Sequence, residues 1–159
     1  MTPDDVGLPA IFVPFADEFP TTGHAVDVAC GRGLTAIWLA RRGMSVTGYD
    51  VSPVAIAAAT ELAAQCGVSQ LCRFQVVDLD DGLPPGRELD VIVCHKFRDH
   101  RLDRPMLVRL AAGGLLAISA LRGAGAFRVA DGELEEAFAD LAVTASGTAD
   151  DTAWLLGRR

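Results

Sequence analysis

Ala25-Val26-Asp27-Val28-Ala29-Cys30-Gly31-Arg32-Gly33 is the stretch that decides the fold. Ala25 to Ala29 is a short apolar run broken once, by Asp27, and Cys30 to Gly33 follows as a glycine-bearing turn. From Leu34 the period becomes helical, with Leu34, Ile37, Trp38 and Arg41 spaced i, i+3, i+4 and i+7. Strand, glycine turn and helix in that order open an α/β fold. Glycine belongs in such a turn because the chain bends sharply and a ligand must come close to bare backbone. The helix start adds unpaired N–H groups and a partial positive end, both suited to an oxygen-bearing ligand.

Outward from that stretch, the chain reads as one domain. At 159 residues it is long enough for a real core, and 50% hydrophobic content with only 6% aromatics favours an Ala/Leu/Val-rich α/β protein over an all-β one. A net charge of −7 opposes a nucleic-acid binder, which would carry a basic face. No apolar run reaches the ~18 residues of a membrane span, and the start lacks the basic flank and hydrophobic stretch of a signal peptide. The expectation is a cytoplasmic protein with no membrane contact. Cys30, Cys66, Cys72 and Cys94 show no zinc spacing and read as reduced thiols, so no metal is expected.

Residues 1–24, interrupted by Pro3, Pro9, Pro14 and Pro20, form an irregular N-terminal arm. Its apolar Ile11-Phe12-Val13, Phe15 and Phe19 suit packing on the body or closure over the glycine turn. A second strand, Ser45 to Tyr49, ends at Asp50. Ser52 caps an alanine-rich helix, Val54 to Cys66, with Pro53 in its first turn and Gly67 stopping it. A third strand, Leu71 to Val77, runs into Asp78-Leu79-Asp80-Asp81, and the Pro/Gly segment 82–86 is a plain connection. The fourth strand, Leu89 to Cys94, is nearly continuous in apolar character and therefore buried on both faces. It leads into His95-Lys96-Phe97-Arg98-Asp99-His100-Arg101, the densest polar cluster in the chain. A helix from Asp103 through Leu110 is expected to stop at Gly113-Gly114, and a fifth strand spans Leu115 to Leu121. A helix from near Asp131 to Phe138 and two short strands, Leu141 to Ala145 and Ala153 to Leu156, complete the chain. The link between these last strands, Ser146 to Thr152, is too short for a parallel crossover, so they pair antiparallel.

Two ligand classes fit the opening unit. Gly31-x-Gly33-x-x-Ala36 with Asp50 ~20 residues on satisfies the loose dinucleotide pattern. S-adenosyl-L-methionine (SAM) fits as well, and an acid inside the first strand, Asp27, suits SAM better. Five parallel-type strands followed by one antiparallel hairpin also depart from the usual dinucleotide layout.

The motif Asp27-Val28-Ala29-Cys30-Gly31-Arg32-Gly33 resembles the first motif of class I SAM-dependent methyltransferases, with Ala29 where the usual first glycine stands. Trp38-Leu39-Ala40, Val46 to Ser52, and Phe127 through Gly132-Glu133-Leu134 are similar to the tellurite-resistance and thiopurine-type small-molecule methyltransferases. The resemblance implies a Rossmann-like three-layer sandwich whose seven-stranded, mostly parallel sheet ends in an antiparallel C-terminal hairpin. It also implies that residues 25–159 form the SAM-binding domain, and that transfer releases S-adenosyl-L-homocysteine. In that family's pattern Asp27 holds the methionyl ammonium region, Asp50 accepts the ribose hydroxyls, and Asp78 with Leu79 meets the adenine edge. Val51 packs on the adenine, and Ala29, Cys30, Gly31, Gly33 and Cys94 flank the cofactor.

His95, at the tip of the fourth strand, is the candidate catalytic base or substrate ligand. Lys96, Arg98, Arg101 and Arg122 are candidates for drawing in an anionic acceptor. The expected partner is a small-molecule methyl acceptor, soft or anionic (a thiol, an oxyanion or similar), and a homodimer is compatible with the chain. Relatives usually carry longer loops after the fourth and fifth strands, which keeps open a non-catalytic SAM-binding or scaffolding domain; the loose dinucleotide pattern keeps open an NAD(P)-binding oxidoreductase, against the hairpin layout and Asp78.

Overall fold

The structure, a computed structural model, describes residues 1–159. Its strands are β1 (His24–Val28), β2 (Ser45–Asp50), β3 (Cys72–Val76), β4 (Leu89–Cys94), β5 (Leu110–Arg122), β6 (Arg128–Val129), β7 (Ala142–Ala149) and β8 (Thr152–Arg158). The helices are α1 (Leu34–Arg41), α2 (Pro53–Gln65), α3 (Asp103–Arg109) and α4 (Glu133–Ala137). One sheet runs β3-β2-β1-β4-β5-β8-β7, with β6 attached to β5. The first five strands pair in parallel and β8 lies antiparallel between β5 and β7. The mostly parallel sheet with its terminal hairpin is the one read from the sequence.

Because parallel strands are covered on both sides, alternate residues feed two cores. Ala25, Val91, Val93, Leu115, Ala117 and Leu156 pack with α1 and with Phe12 and Phe19 of the arm. Val26, Val28, Ile92, Cys94, Leu116 and Ile118 pack with Met106 of α3 and Leu134 of α4. Between α1 and α2, Ile37 meets Leu62 and Ala63. The arm is short 3-10 turns, Pro3–Asp5 and Ala10–Glu18, whose Phe12 and Phe19 are fully buried. Phe12 and Phe15 lie against Trp154 of β8, and Arg158 reaches the Glu18 carboxylate at 2.8 Å.

Three expectations need correction. The helix after the fourth strand ends at Arg109, and Gly113-Gly114 lie inside β5, where the pairing with β4 is irregular between Leu89 and Val91. A Cβ at Gly114 would meet the carbonyl oxygens of Ala111 and Leu89 at 2.9 Å, so glycine there serves a close strand approach and stops no helix. Phe127-Arg128-Val129 contributes a two-residue strand that the sequence reading had no pattern for. The terminal hairpin is longer than its apolar core: only Asp150-Asp151 separate the strands, with Asp150 in the left-handed region (φ 53°).

Candidate active site

The tips of β1, β2 and β4 converge on the glycine turn. Gly33 (φ 82°) starts α1 without a capping side chain, and the Ala36 N–H of its first turn acts on the buried Asp27 carboxylate of β1, opposing the effect of its burial. A Cβ at Gly33 would meet Ala59 of α2 and Phe74 of β3 at 3.0 Å, so the turn also fixes how these elements pack. Asp50 ties β2 to the same turn: one carboxylate oxygen accepts from the Gly31 N–H at 2.8 Å, the other from the Ser52 N–H at 3.0 Å. Ser52 caps α2 through the Ala55 N–H, as its position predicts.

Two cavities meet at Ala29. The first, about 350 Å3, is lined by Asp27, Ala29, Cys30, Gly31, Thr35 and His95, and roofed by Gly7, Leu8 and Pro9 of the arm. The second, about 380 Å3, is lined by Ala29, Asp50, Val51, Val77, Asp78, Leu79, Asp80 and Phe97. Together they form a trough across successive strand tips, outside the carboxyl ends of the strands where a doubly wound sheet binds its ligands. The arm therefore covers the first cavity as well as packing on the sheet.

Ala29 stands in the left-handed region (φ 56°), which suits glycine and penalises a Cβ. Ala29→Gly is expected to raise the unfolding free energy by about 1 kcal/mol, seen as a higher denaturation midpoint at unchanged slope.

The electrostatics separate the groups further. Asp27 is 3% exposed; burial, opposed by the Ala36 N–H and reinforced by Asp50, pushes its pKa up to about 7. Burial and the neighbouring Lys96 push His95 down to about 4, so its imidazole is neutral at pH 7 and too weak a base to take a proton from a hydroxyl or amine. Its Nδ1 lies 2.6 Å from Ser119 Oγ, and its ring meets Phe12 edge-on at 6.3 Å. Asp78 is exposed and accepts from the Asp80 N–H at 2.9 Å.

Several predicted residues stand elsewhere. Cys94 is 2% exposed, lines neither cavity and donates to the Phe97 carbonyl; burial raises its thiol far above the ordinary range. Arg98 is 4% exposed and held by Asp103 and Glu133. It borders a separate, larger cavity of about 600 Å3 with His100, Arg128 and Glu136, where charges of both signs alternate. Arg101 is clamped by Asp99 and Asp80, which raises its pKa, and Arg122 pairs with Asp131 at 3.0 Å. Each of these three guanidiniums already has a carboxylate, so none is a free cation for an incoming anion. Lys96 sits at φ 54° with its backbone N–H on Ser119, and it lines neither cavity.

Among the residues the sequence reading did not place in the site, Thr35 and Phe97 line the cavities and Ser119 stands against His95. Ser119 had a signal: it is the one polar residue in Leu115 to Leu121.

The trough fits SAM in its chemistry. A buried acid with no cationic partner faces one end, carboxylates with spare lone pairs flank the middle, and the apolar Val51, Leu79 and Phe97 line the other end. Sheet order and trough together define a class I SAM-dependent methyltransferase fold. The chain belongs to the methyltransferase-domain family, whose model matches residues 25–113. Over 90 residues it is 33% identical to a ubiquinone biosynthesis O-methyltransferase of Methylobacterium nodulans, a match covering 57% of this chain and 35% of that protein. The chain spans about a quarter to a half of the length of the curated relatives it matches.

Among solved structures, TehB from Haemophilus influenzae superposes with a TM-score of 0.83 at 19% identity, over 96% of this chain and 62% of that one. Magnesium protoporphyrin IX methyltransferase from Synechocystis PCC 6803, solved with bound SAM, gives 0.71 at 18% identity, over 94% and 76%.

Proposed function

We propose that the chain transfers the methyl group of SAM to a small molecule that enters the cavity between the arm and His95, and that the acceptor is soft or anionic (a thiolate or an oxyanion). The observation that carries this reading is the pair of cavities joined at Ala29, with Asp27 and His95 at one end and Asp50 and Asp78 at the other.

Bound there, the cofactor supplies an electrophilic methyl on a sulfonium. The residues of the chain do the rest by placement, since holding donor and acceptor in line accounts for much of the rate of such a displacement. Asp27 faces the methionyl end as the local negative charge. Asp50, already oriented by Gly31 and Ser52, keeps lone pairs for two ribose hydroxyls. Asp78 and Leu79 border the adenine end beside Val51 and Phe97, while Gly31, Gly33 and Cys30 shape the turn. Gly7, Leu8 and Pro9 exclude water from above, and the confined space behind them favours a compact acceptor over a polymer.

Isothermal titration with S-adenosyl-L-homocysteine and, separately, with NAD tests the reading. Binding of the first and none of the second is expected; the reverse would end the methyltransferase proposal.

A further inference from the structure

We infer that Ser119 locks His95 as a hydrogen-bond donor at Nε2, so that the site takes an acceptor already ionised and leaves untouched one that must first lose a proton. The inference rests on the methyl-transfer reading above and adds to it a positioning residue, a protonation state and a limit on the acceptor.

Topology brings the two side chains together. Asp27, Val93 and Ala117 occupy one row across β1, β4 and β5. Two residues beyond that row, His95 follows the end of β4 and Ser119 continues β5 on the face of Ala117, and Ser119 pairs with Trp154 of β8. Ser119 is fully buried. Its Oγ receives the Lys96 N–H at 2.9 Å and lies 2.6 Å from His95 Nδ1.

A hydroxyl owns one proton, and a backbone N–H can only donate. The proton of Ser119 therefore has His95 Nδ1 as its acceptor. If Nδ1 carried the proton instead, Ser119 would keep a buried hydroxyl hydrogen with no partner, which is costly. An imidazole that accepts at Nδ1 carries its own proton at Nε2. Phe12, edge-on to the ring, and Ser119 hold the imidazole from two sides, and His95 still lines the arm-side cavity. The nitrogen left for a ligand is Nε2, and it offers a proton.

The charges around the ring keep this state over a wide range. Lys96 stands next to it in sequence, and Asp27 and Asp5 border the same cavity from β1 and the arm. Burial, with Lys96 beside the ring, keeps it neutral through pH 7. A neutral Nε2–H cannot take a proton from an alcohol, a neutral phenol or an ammonium. It can hold one lone pair of a thiolate or oxyanion and leave another for reaction. The acceptor's electron pair then makes the new bond to carbon, sulfur leaves with the pair of the broken carbon–sulfur bond, and no proton needs removal.

Nitrogen-15 NMR on the histidine-labelled chain with S-adenosyl-L-homocysteine present reads the tautomer directly, the His95 signals among the three histidines being assigned with His95→Gln. Expected is a protonated Nε2 and a bare Nδ1 that stay so through neutral pH. Ser119→Ala, or Ser119→Cys where the alanine variant folds poorly, is expected to shift part of the population to the other tautomer while leaving the other two histidines unchanged. A protonated Nδ1 in the parent chain, or a tautomer indifferent to both Ser119 variants, would overturn the assignment.

For the acceptor, 4-nitrothiophenol serves as a thiolate and benzylamine as a group needing deprotonation. Transfer to the thiolate alone is expected, lowered less in His95→Gln, whose amide can still donate, than in His95→Ala, where a fall of about tenfold to a hundredfold is expected. Transfer to benzylamine, or to neither probe, would overturn the limit on the acceptor. Failure of the parent chain to bind S-adenosyl-L-homocysteine would instead strike the methyl-transfer reading itself.

Discussion

Asp27→Asn is expected to leave the protein more stable above neutral pH and poorer at holding its cofactor. The parent carboxylate is buried without a cationic partner, and its pKa stands at about 7 against 3.8 for the free group. Since the folded value is the higher one, the stability this group contributes is complete below about pH 4. It declines as the pH rises and is gone above about pH 7. Above that point the fold carries a desolvated charge costing on the order of 2–4 kcal/mol.

Asparagine keeps an oxygen for the Ala36 N–H and carries no charge. Its advantage in melting temperature should be near zero at about pH 4 and grow to about 5–10 °C at about pH 8. In the proposed function the same change removes the negative charge meant for the ammonium and sulfonium of SAM, and affinity for SAM should fall about tenfold to a hundredfold by calorimetry. Melting curves of equal pH dependence in parent and variant would show that Asp27 titrates normally.

Asp50→Ala carries the second large effect. The carboxylate joins the Gly31 and Ser52 N–H groups, and in the proposed function its remaining lone pairs hold the ribose, so its loss is expected to reach both the turn and the ligand. Two charge-assisted hydrogen bonds to the ribose are lost, on the order of 3 kcal/mol together, which predicts about a hundredfold weaker binding of S-adenosyl-L-homocysteine. Asp50→Asn should recover part of it, because its amide oxygen can still accept from Gly31. Equal affinity in parent and alanine variant would place the ribose elsewhere.

How much of this was legible depended on whether local chemistry or long-range packing decides a feature. The strand, turn and helix around Asp27 to Gly33, the Ser52 cap and the terminal hairpin follow from period and turn chemistry within a few residues, and the structure has them where they were read. Gly113-Gly114 misled because a glycine pair after a helix reads as a stop, whereas here it eases β5 past the Leu89 carbonyl. The partners of the basic residues after β4 are hidden for another reason. Asp103 lies 5 residues from Arg98 and Glu133 lies 35 away, so nothing local announces that this guanidinium is already neutralised. His95 stands out in the sequence by its place at a strand tip, whereas Ser119, 24 residues on, meets it only in the folded sheet. A row of neighbours across a sheet is invisible until the strand order is known.

The placement of β8 has a consequence for biosynthesis. Thr152–Arg158 fills the gap between β5 and β7, and Trp154 receives the aromatic rings of a segment more than a hundred residues upstream. While the ribosome is still adding residues before 152, the outer edge of β5 has no strand to pair with, and Phe12 lacks its aromatic neighbour. Nascent chains of this topology present an open strand edge until β8 emerges, which is the interval in which a chaperone, or aggregation, would find them.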